Sequence, residues 1–523
     1  MIQIKSPRFK LYLSAFIIIM AVLTISLISK LFNPNKATVT STDQQKTDEP
    51  VFDLKSSSEI RAVWMSRFDY SKDLETFSPD VMQAFISTTF QRMAEANFNT
   101  VFFQIRGNAD AYYKSKYEPW GELLTDTLGK DPGWDPLQFA LDQADKYGLN
   151  LHAWINVFPA WRGEHKPDST KPLHPLLKHP EWLVHDYQGD PMELNSHYVS
   201  FSPGNPEFHG YLIKIIRDVV NNYDVDGIHF DYIRYPEGGR YSKDPVSLAR
   251  FQSEKSNPLK LSWEDWQREQ VTAFVSKAYN MLTNEAPQVI LSAAVIGSYR
   301  NWKWNGYKRV YQDAKRWLEL GKMDMIVPML YVGRKGDGSG FRSMLQEWIT
   351  NREIQGKIIA GIGDFKITWE EVLKEIDDYR NLGFDGCCFF SASSLTPEDY
   401  QSLKNTKFKY PAKTPLFPWK KHTPSLPPEN LTLAKNGNNY LLEWTVSGKD
   451  PGYFANYIIY QSKTRAIDPD SPASIIEILP AHCREFKIPD YNSESYYYIS
   501  SINSLGIESP LIILPKKPGL SKK

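Results

Sequence analysis

The stretch Asp226-Gly-Ile-His-Phe-Asp-Tyr-Ile-Arg-Tyr-Pro236 has the alternation of a buried strand that ends in polar groups. Ile228 and Phe230 are apolar and strand-forming, and Asp231 follows them where a carboxylate is costly unless it has a partner or a function. Side chains alternate along a strand, so His229 and Asp231 share one face. Barrel enzymes hold their chemistry at the carboxyl ends of parallel strands, although structural ion pairs also bury carboxylates.

Eight apolar segments of this kind alternate with amphipathic helical segments between residues 58 and 404. The order strand, helix, strand, repeated eight times, predicts an α/β fold of the (β/α)8 TIM barrel type. A doubly wound open sheet is the alternative, but no glycine-rich phosphate loop follows the first strand. The predicted strands are Glu59–Arg67, Thr100–Gly107, Asn150–Phe158, Val225–Ile233, Val289–Gly297, Met323–Tyr331, Lys357–Asp364 and Gly383–Ala392.

The remainder of the chain divides at a proline-rich segment, residues 405–425, which we interpret as a stiff linker. Short alternating strands in residues 426–515 predict a small all-β sandwich. The segments Leu442-Glu-Trp444 and Tyr457-Ile-Ile-Tyr460 resemble those of a fibronectin type III domain. No catalytic constellation occurs in this region, so we expect a spacer or a sugar-contacting module.

The amino-terminal residues 1–32 have the pattern of a signal peptide or membrane anchor. Lys5, Arg8 and Lys10 precede the uncharged segment Leu11–Ser29, which is about long enough to span a bilayer. No clean cleavage site follows, so an uncleaved anchor is favoured, with cleavage as the alternative. The positive flank would stay in the cytoplasm and the rest would be exported to the cell envelope. Residues 33–57 are polar and are expected to form a flexible linker.

The overall composition excludes several classes of function. Lysine plus arginine and aspartate plus glutamate both number 61, so the neutral chain is not built for nucleic acid. Two of the three cysteines, Cys387 and Cys388, are adjacent, which argues against a disulfide framework. No cysteine or histidine pair has the spacing of a metal site. The sequence therefore predicts no metal and no organic cofactor.

Strand periodicity places polar side chains at the carboxyl ends of the predicted strands. On the second strand Gln104 and Arg106 share one face, and on the third Trp154 and Asn156 do so. Such a mixture of amide, cationic and aromatic groups suits a polyhydroxylated substrate. The face of Arg61 is ambiguous, because its parity differs from that of Trp64. The candidate substrate-binding residues are Arg61, Gln104, Arg106, Trp154, Asn156, His229, Tyr232 and Tyr331.

Hydrolysis of a glycosidic bond requires two carboxyl groups that flank it. Asp231 is the first candidate, as nucleophile or as the carboxylate that stabilises the transition state. The second is less clear, and Asp364, at the end of the seventh strand, is preferred. Asp324 stands at the start of its strand, on the stability face of a barrel, and is predicted to be structural. The remaining candidates for the acid are Asp69, Asp110, Glu118 and Glu164.

A long insert, Pro159–Asn205, follows the third strand and is rich in histidine and aromatic residues. Loops of this length inside a compact domain are usually functional or disordered. Its aromatic content argues against disorder. Because it follows the carboxyl end of a strand, we expect it to form a wall of the cleft.

The barrel region resembles the bacterial glycosyl-hydrolase-like 10 family. The matching motifs run in order and include Phe103-Gln-Ile-Arg106, Leu151-His-Ala-Trp-Ile-Asn156, Tyr223-Asp-Val-Asp-Gly-Ile-His-Phe-Asp231 and Pro328-Met-Leu-Tyr331. The resemblance implies a TIM barrel, an exported protein and a glycan substrate, of which peptidoglycan is one in bacteria. The chain departs from the family pattern at Tyr232, where a second Asp is usual.

These observations favour an envelope-anchored glycoside hydrolase that acts on a polysaccharide or on peptidoglycan glycan strands. One alternative is a non-catalytic glycan-binding protein on a degenerate barrel, which the Tyr232 departure motivates. Another is a scaffold whose carboxy-terminal module acts while the barrel is a spacer. The polar residues predicted to face the cleft argue against this last alternative.

Overall fold

A computed structural model describes residues 57–71, 77–237, 239–333, 338–350, 355–421, 425–437, 439–446 and 454–515. The predicted signal or anchor segment, 1–32, and nearly all of the predicted linker 33–57 lie outside these ranges. Within them, no helix combines the length and the apolar character needed to cross a membrane.

Eight parallel strands close into a barrel, which confirms the predicted fold class. The last strand pairs with the first, and the seventh pairs with both the sixth and the eighth. The seventh strand is interrupted at Ile359. The barrel strands are β1 Ile60–Met65, β2 Thr100–Arg106, β3 Asn150–Asn156, β4 Gly227–Asp231, β5 Ile290–Ile296, β6 Met325–Met329, β7 Lys357–Ile358 with Ala360–Ile362, and β8 Gly386–Phe390.

Helices surround the barrel, and most begin at a side-chain cap followed by proline or an acidic first turn, as helix amino termini prefer. Those that follow the successive strands are Pro79–Glu95, Pro136–Tyr147, Pro206–Asn222, Pro245–Gln252 with Trp263–Glu285, Ala314–Glu319, Ser339–Ile349, Trp369–Asn381 and Pro397–Asn405. Shorter turns of helix lie in the loops at Arg67–Tyr70, Glu122–Leu124, Pro175–Lys178, Pro180–Trp182, Gly306–Arg309 and Asp364–Lys366.

Alternation along each strand divides the apolar residues between two cores. Val63, Val101 and Phe103 point outward and pack against the helices in the large core. Trp64 and Phe102 point inward and belong to a second core that fills the barrel. Toward the carboxyl ends of the strands, polar side chains replace the apolar residues that point inward. This end of the barrel is therefore available for a ligand.

The amino end of the barrel is covered by residues that follow the last helix. Phe417 and Leu505 pack into the inner core of the barrel. Trp419 donates a hydrogen bond to Asp324 (2.7 Å), and Lys420 forms an ion pair with the same carboxylate. The segment predicted as a linker, 405–425, thus contacts the barrel over much of its length.

The carboxy-terminal module consists of two antiparallel sheets, so the predicted all-β region is confirmed. The three-stranded sheet is formed by Glu429–Asn436, Asn439–Thr445 and Glu485–Ile488, and the four-stranded sheet by Ile475–Pro480, Phe454–Ser462, Tyr496–Asn503 and Ile512–Ile513; a short helical turn, Pro472–Ser474, precedes Ile475–Pro480.

The insert after β3 forms a two-stranded ribbon at the carboxyl end of the barrel. Pro159–Arg162 pairs with Tyr198–Ser200 in antiparallel fashion. The ribbon brings Tyr198 to the cavity described below. The insert therefore contributes to the wall of the cleft, as its position in the sequence indicates.

Candidate functional site

A cavity of about 240 Å³ opens at the carboxyl ends of the barrel strands. It is the place where enzymes of this fold bind their substrates. Its wall combines aromatic rings, amides and charged groups. The lining residues are Trp64, Ser66, Arg67, Phe68, Gln104, Trp154, Asn156, Tyr198, Asp231, Tyr232, Arg234, Ala294, Met329, Tyr331 and Phe390.

Asp231 is the last residue of β4 and lies in this wall with only 6% of its surface exposed. Its Oδ1 accepts hydrogen bonds from the Tyr232 amide (2.6 Å) and from Arg234 Nη1 (3.1 Å). Both donors stabilise negative charge on the carboxylate. Within the part of the chain that the structure describes, Asp231 is the only carboxylate that lines the cavity.

The backbone turns sharply just after Asp231, at Tyr232. The φ angle of Tyr232 is +51°, in the left-handed region that residues with a side chain seldom adopt. The turn directs its ring against Tyr198 of the insert, with centroids 5.1 Å apart. The Arg234 guanidinium lies 4.3 Å from the Tyr232 ring centroid. The residue that departs from the family pattern thus forms part of the cavity wall.

Three predicted residues form a hydrogen-bonded group on the floor of the cavity. The Asn156 Oδ1 atom accepts from Trp154 Nε1 (3.0 Å) and from Gln104 Nε2 (3.1 Å). These bonds fix the orientation of the Asn156 amide. Its NH₂ group makes no hydrogen bond to any residue that the structure describes, so it is free to donate to a ligand.

Arg67 and Phe68 follow β1 and also line the cavity, although sequence reasoning did not select them. Arg67 donates to Gln104 Oε1, both from its backbone amide (3.0 Å) and from Nη1 (3.2 Å). Its Nη2 donates to Asn108 Oδ1 and to the Tyr198 hydroxyl. The side chain of Phe68 is exposed and lies against the guanidinium. The signal available in the sequence was a cation at the carboxyl end of the predicted strand Glu59–Arg67.

His229 does not line the cavity, contrary to the prediction that it binds substrate. It is fully buried inside the barrel, where its Nε2 accepts from Trp64 Nε1 (2.9 Å) and its Nδ1 bonds Ser292 Oγ (2.8 Å). Its ring stacks on Phe102. Burial holds the pKa of His229 well below its usual value, so the ring is neutral. It fixes the position of Trp64, which does line the cavity.

The prediction that Arg61 reaches the cleft is wrong. Arg61 lies near the amino end of β1, points outward and is completely buried. Its Nε bonds Glu59 (2.8 Å), and its Nη1 donates to the carbonyl of Tyr410 (2.7 Å). Because the parity of Arg61 along β1 differs from that of Trp64, its side chain lies on the side of the strand that faces the helices.

Arg106 is also buried rather than exposed to the cleft, which corrects the second arginine prediction. Its guanidinium forms a bidentate ion pair with Glu118 (2.8 Å) and donates to the carbonyls of Asn156 and Val157. Arg106 therefore links the loop after β2, which carries Glu118, to the end of β3. Arg106 positions Asn156 through the backbone, and its complete burial keeps it away from a ligand in the cavity.

Asp364 begins the short helix after β7 and is partly buried beside the site, outside the residues that line the cavity. Its Oδ1 is buried and has no hydrogen-bond partner in the described part of the chain. Burial raises the pKa of Asp364 to about 7. Burial, the Cys388 thiol and then the carboxylates of Asp231 and Asp364 raise the pKa of Tyr331 well above its usual value. The Tyr331 ring lines the cavity and contacts Phe365, the residue after Asp364, so the turn that carries Asp364 adjoins the cavity.

The other four acid candidates are engaged elsewhere or exposed. Asp69 caps its own helix and accepts from Ser391 Oγ (2.7 Å). Asp110 accepts from two backbone amides of its turn, and Glu118 is paired with Arg106. Glu164 lies exposed in the insert. Across the described ranges, no group of three or more histidine, cysteine or acidic residues has the geometry to hold a metal ion.

Comparisons with known proteins agree with this architecture. The family model described as glycosyl hydrolase-like 10 matches residues 59–376, which include seven of the eight barrel strands. The chain is 26% identical over 443 residues to the glycosyl hydrolase YngK of Bacillus subtilis (strain 168), covering 78% of this chain and 84% of that protein. It is 26% identical over 370 residues to the glycosyl hydrolase DigH of Escherichia coli (strain K12), covering 67% and 82%.

One solved structure with a similar fold is the PgaB (BpsB) glycoside hydrolase domain from Bordetella bronchiseptica. The alignment covers 67% of this chain and 97% of that one, at 14% identity and a TM-score of 0.45.

Proposed function

Because this chain belongs to the glycosyl hydrolase-like 10 family and is a glycoside hydrolase, we propose that it cleaves a glycan bound in the cavity at the carboxyl ends of β1–β8, with Asp231 as the essential carboxylate. The observation that carries the proposal is the position of Asp231. Among the described residues of the cavity wall it is the one acidic residue, at the end of β4, and two donors hold it.

The carboxylate of Asp231 would act on the anomeric carbon, either as a nucleophile or by stabilising the positive charge that develops there. The donors on Oδ1 orient the group and leave Oδ2 for the substrate. Neighbouring rings of Trp64, Tyr331 and Phe390 surround the same space with flat apolar surface. Such surfaces pack against the faces of sugar rings.

Asp364 would supply the proton to the leaving group. A general acid must hold its proton at the working pH, and a pKa of about 7 meets this requirement near neutrality. Tyr331 lines the cavity next to the turn that carries Asp364, which supports placing the acid on this side of the cavity. A glycan that enters the cavity would reach Asp364 on the side of β7.

The remaining predicted cavity residues would bind the sugar hydroxyls. The free NH₂ group of Asn156 is a donor at a fixed position, because Gln104 and Trp154 hold its carbonyl oxygen. Tyr232 would contact the substrate from the wall that it forms with Tyr198.

We further propose that the enzyme is exported and works in the cell envelope, on peptidoglycan glycan strands or another polysaccharide. The support is the positively flanked apolar segment Leu11–Ser29, as an anchor or signal peptide. The carboxy-terminal module would be a fibronectin type III-like spacer or sugar-contacting domain. Its division into three-stranded and four-stranded antiparallel sheets supports this assignment.

The decisive experiment incubates the purified protein with peptidoglycan, with peptide-free peptidoglycan strands and with a panel of polysaccharides, and identifies products by mass spectrometry. New saccharides that are absent with Asp231→Asn support the proposal and define the substrate class. Products formed equally by Asp231→Asn would contradict the role of this residue. Binding of a glycan without any product would instead support the non-catalytic alternative.

A further inference from the structure

Arg67, Phe68 and Tyr198 line one side of the cavity, and Arg162 lies outside the lining, next to the rings of Phe68 and Tyr198; the four residues are called here the arginine–aromatic wall. The Arg67 guanidinium lies 4.3 Å from the Phe68 ring centroid. That of Arg162 lies 5.6 Å from the same ring and 6.0 Å from the Tyr198 ring. The two cations thus flank Phe68, whose ring is 40% exposed.

Arg67 is the unusual member of this wall because it is buried without a carboxylate partner. Its exposed fraction is 2%, and its hydrogen-bond acceptors are the neutral groups of Gln104, Asn108 and Tyr198. No acidic oxygen among the described residues lies within ion-pair distance of it. A buried cation without an anion is costly.

Other buried cations of the molecule have an acidic partner within the protein. Arg61 is paired with Glu59, Arg106 with Glu118 and Lys420 with Asp324. Arg67 differs from them in one further respect, since it lines the cavity. The Asp110 carboxylate acts on Arg67 only over a distance, without a hydrogen bond or ion pair, so a ligand in the cavity can supply the direct anionic partner.

The surrounding residues hold the Arg67 guanidinium in place. Gly107 lies directly against it, and a Cβ atom at that position would be 2.5 Å from Arg67 Cζ. Phe68 covers another side of the Arg67 guanidinium, and three hydrogen-bond acceptors fix the edge of the guanidinium. A cation with so little freedom loses little entropy when a ligand binds.

Arg162 supplies a second cation on the surface of the same wall. It is exposed, its Nε donates to the Ser196 carbonyl (3.2 Å), and it has no acidic partner in the described ranges. Arg234 is paired with Asp231, which leaves Arg67 and Arg162 as the two arginines of this region without a carboxylate partner among the described residues.

We propose that the arginine–aromatic wall is a subsite for a sugar residue that carries a carboxylate, with Phe68 packing on the sugar ring and Arg67 and Arg162 binding the anionic group. The inference rests on the proposed function, since it presumes that a glycan occupies the cavity. The substrate class it defines is an acidic glycan. Either a uronic acid or a sugar with a carboxylated ether substituent has this chemistry.

The test compares pairs of glycans that differ only in the carboxylate. Peptide-free peptidoglycan strands and a polyuronate are each used as prepared and after conversion of the carboxylates to amides. Binding is measured by isothermal titration calorimetry with Asp231→Asn, and hydrolysis with the wild type. We expect at least about tenfold tighter binding of one acidic form than of its amide, and the pair that responds identifies the source of the carboxylate.

The variant Arg162→Gln, in the Asp231→Asn background, should remove most of the preference for the acidic form. Because Arg162 is exposed, this change leaves the fold intact, whereas substitution of buried Arg67 could unfold the loop. Arg484→Gln is the matched control, since Arg484 is exposed and also donates to backbone carbonyls, but in the carboxy-terminal module.

Two failures are distinguishable. Equal binding and equal cleavage of the acidic and amidated forms would overturn the acidic subsite while leaving the proposed hydrolase intact. Absence of cleavage of every glycan, with a preference for the acidic form that Arg162→Gln abolishes, would support the subsite and contradict the proposed activity.

Discussion

The two ends of the barrel each hold a buried aspartate, and the difference between them shows what a functional carboxylate requires. At the amino end, Asp324 accepts from four donors: the Leu291 amide, the Tyr279 hydroxyl, Trp419 Nε1 and Lys420 Nζ. A carboxylate has about four acceptor positions, so all of them are occupied. Asp324 is completely buried.

At the carboxyl end, Asp231 accepts from two donors among the described residues, both on Oδ1. The rest of its acceptor capacity faces a cavity. Residue type and strand burial are similar at the two ends, so neither separates structure from function. The two aspartates differ in whether the protein itself supplies hydrogen-bond donors for the whole carboxylate. The predictions below test this distinction.

The largest effect is expected for Asp231→Asn. The change removes the charge at constant shape, and kcat should fall about 10³-fold, which is about 4 kcal/mol in the barrier. Thermal unfolding should change little, because the cavity already exposes the group to ligand. The checks are steady-state hydrolysis of the glycan identified above and a thermal melt. A loss of activity accompanied by unfolding would contradict the comparison.

The same substitution at the other end, Asp324→Asn, should have the opposite pattern. It leaves Lys420 buried without its anion, and breaking such a pair costs about 3–5 kcal/mol of folding free energy. Chemical denaturation should show this loss, whereas kcat per folded molecule should stay at the wild-type value. Adding Lys420→Met removes the unpaired charge and should restore part of the stability. An unchanged denaturation midpoint in Asp324→Asn would show that the amino end is not held by this pair.

The contrast between the two ends explains how far the sequence alone could go. Strand parity correctly placed Gln104, Trp154 and Asn156 beside Asp231, because alternation along a strand is a local property. It failed for Arg106, whose position is decided by Glu118. An ion pair between a strand and a distant loop leaves no periodic signal in the sequence.

Loops limited the prediction in the same way. Tyr198 reaches the cavity from deep within the insert, through a ribbon whose pairing with Pro159–Arg162 has no clear sequence pattern. Arg67 lies one residue beyond the break in β1 periodicity, so its direction could not be deduced. The barrel and the principal carboxylate were accessible from sequence, whereas the arginine–aromatic wall required the structure.

Asp364→Asn should lower kcat/KM by about 10²-fold and change its pH dependence. In the wild type, the acid form of a group with a pKa of about 7 is lost as pH rises through 7, so activity should fall over that range. Without the titrating group this descending limb should disappear. The measurement is a kcat/KM profile against pH for both proteins, and an unchanged descending limb in the variant would exclude Asp364 as the acid.

Protein stability gives a second measurement of the same group. Between about pH 4, the ordinary pKa of aspartate, and pH 7 the folded protein binds more protons than the unfolded chain at Asp364. The contribution of Asp364 to protein stability therefore decreases as pH rises through that window. Asp364→Asn removes this pH-dependent contribution. The melting temperature of Asp364→Asn should therefore rise relative to that of the wild type as pH increases toward 7.

The smallest effect is expected for Gly107→Ala, which tests how the cavity holds an unpaired cation. The added Cβ atom would lie 2.5 Å from Arg67 Cζ, so the guanidinium must move. Overpacking of this kind costs about 1–3 kcal/mol, and here it should appear as weaker binding of an acidic glycan, by about tenfold. Gly210→Ala adds the same methyl group where no atom lies within 4 Å, and it should leave binding unchanged. If both variants bind the acidic glycan like the wild type, the position of Arg67 does not matter for recognition, and the cavity would owe its specificity to Asp231 and its neighbours alone.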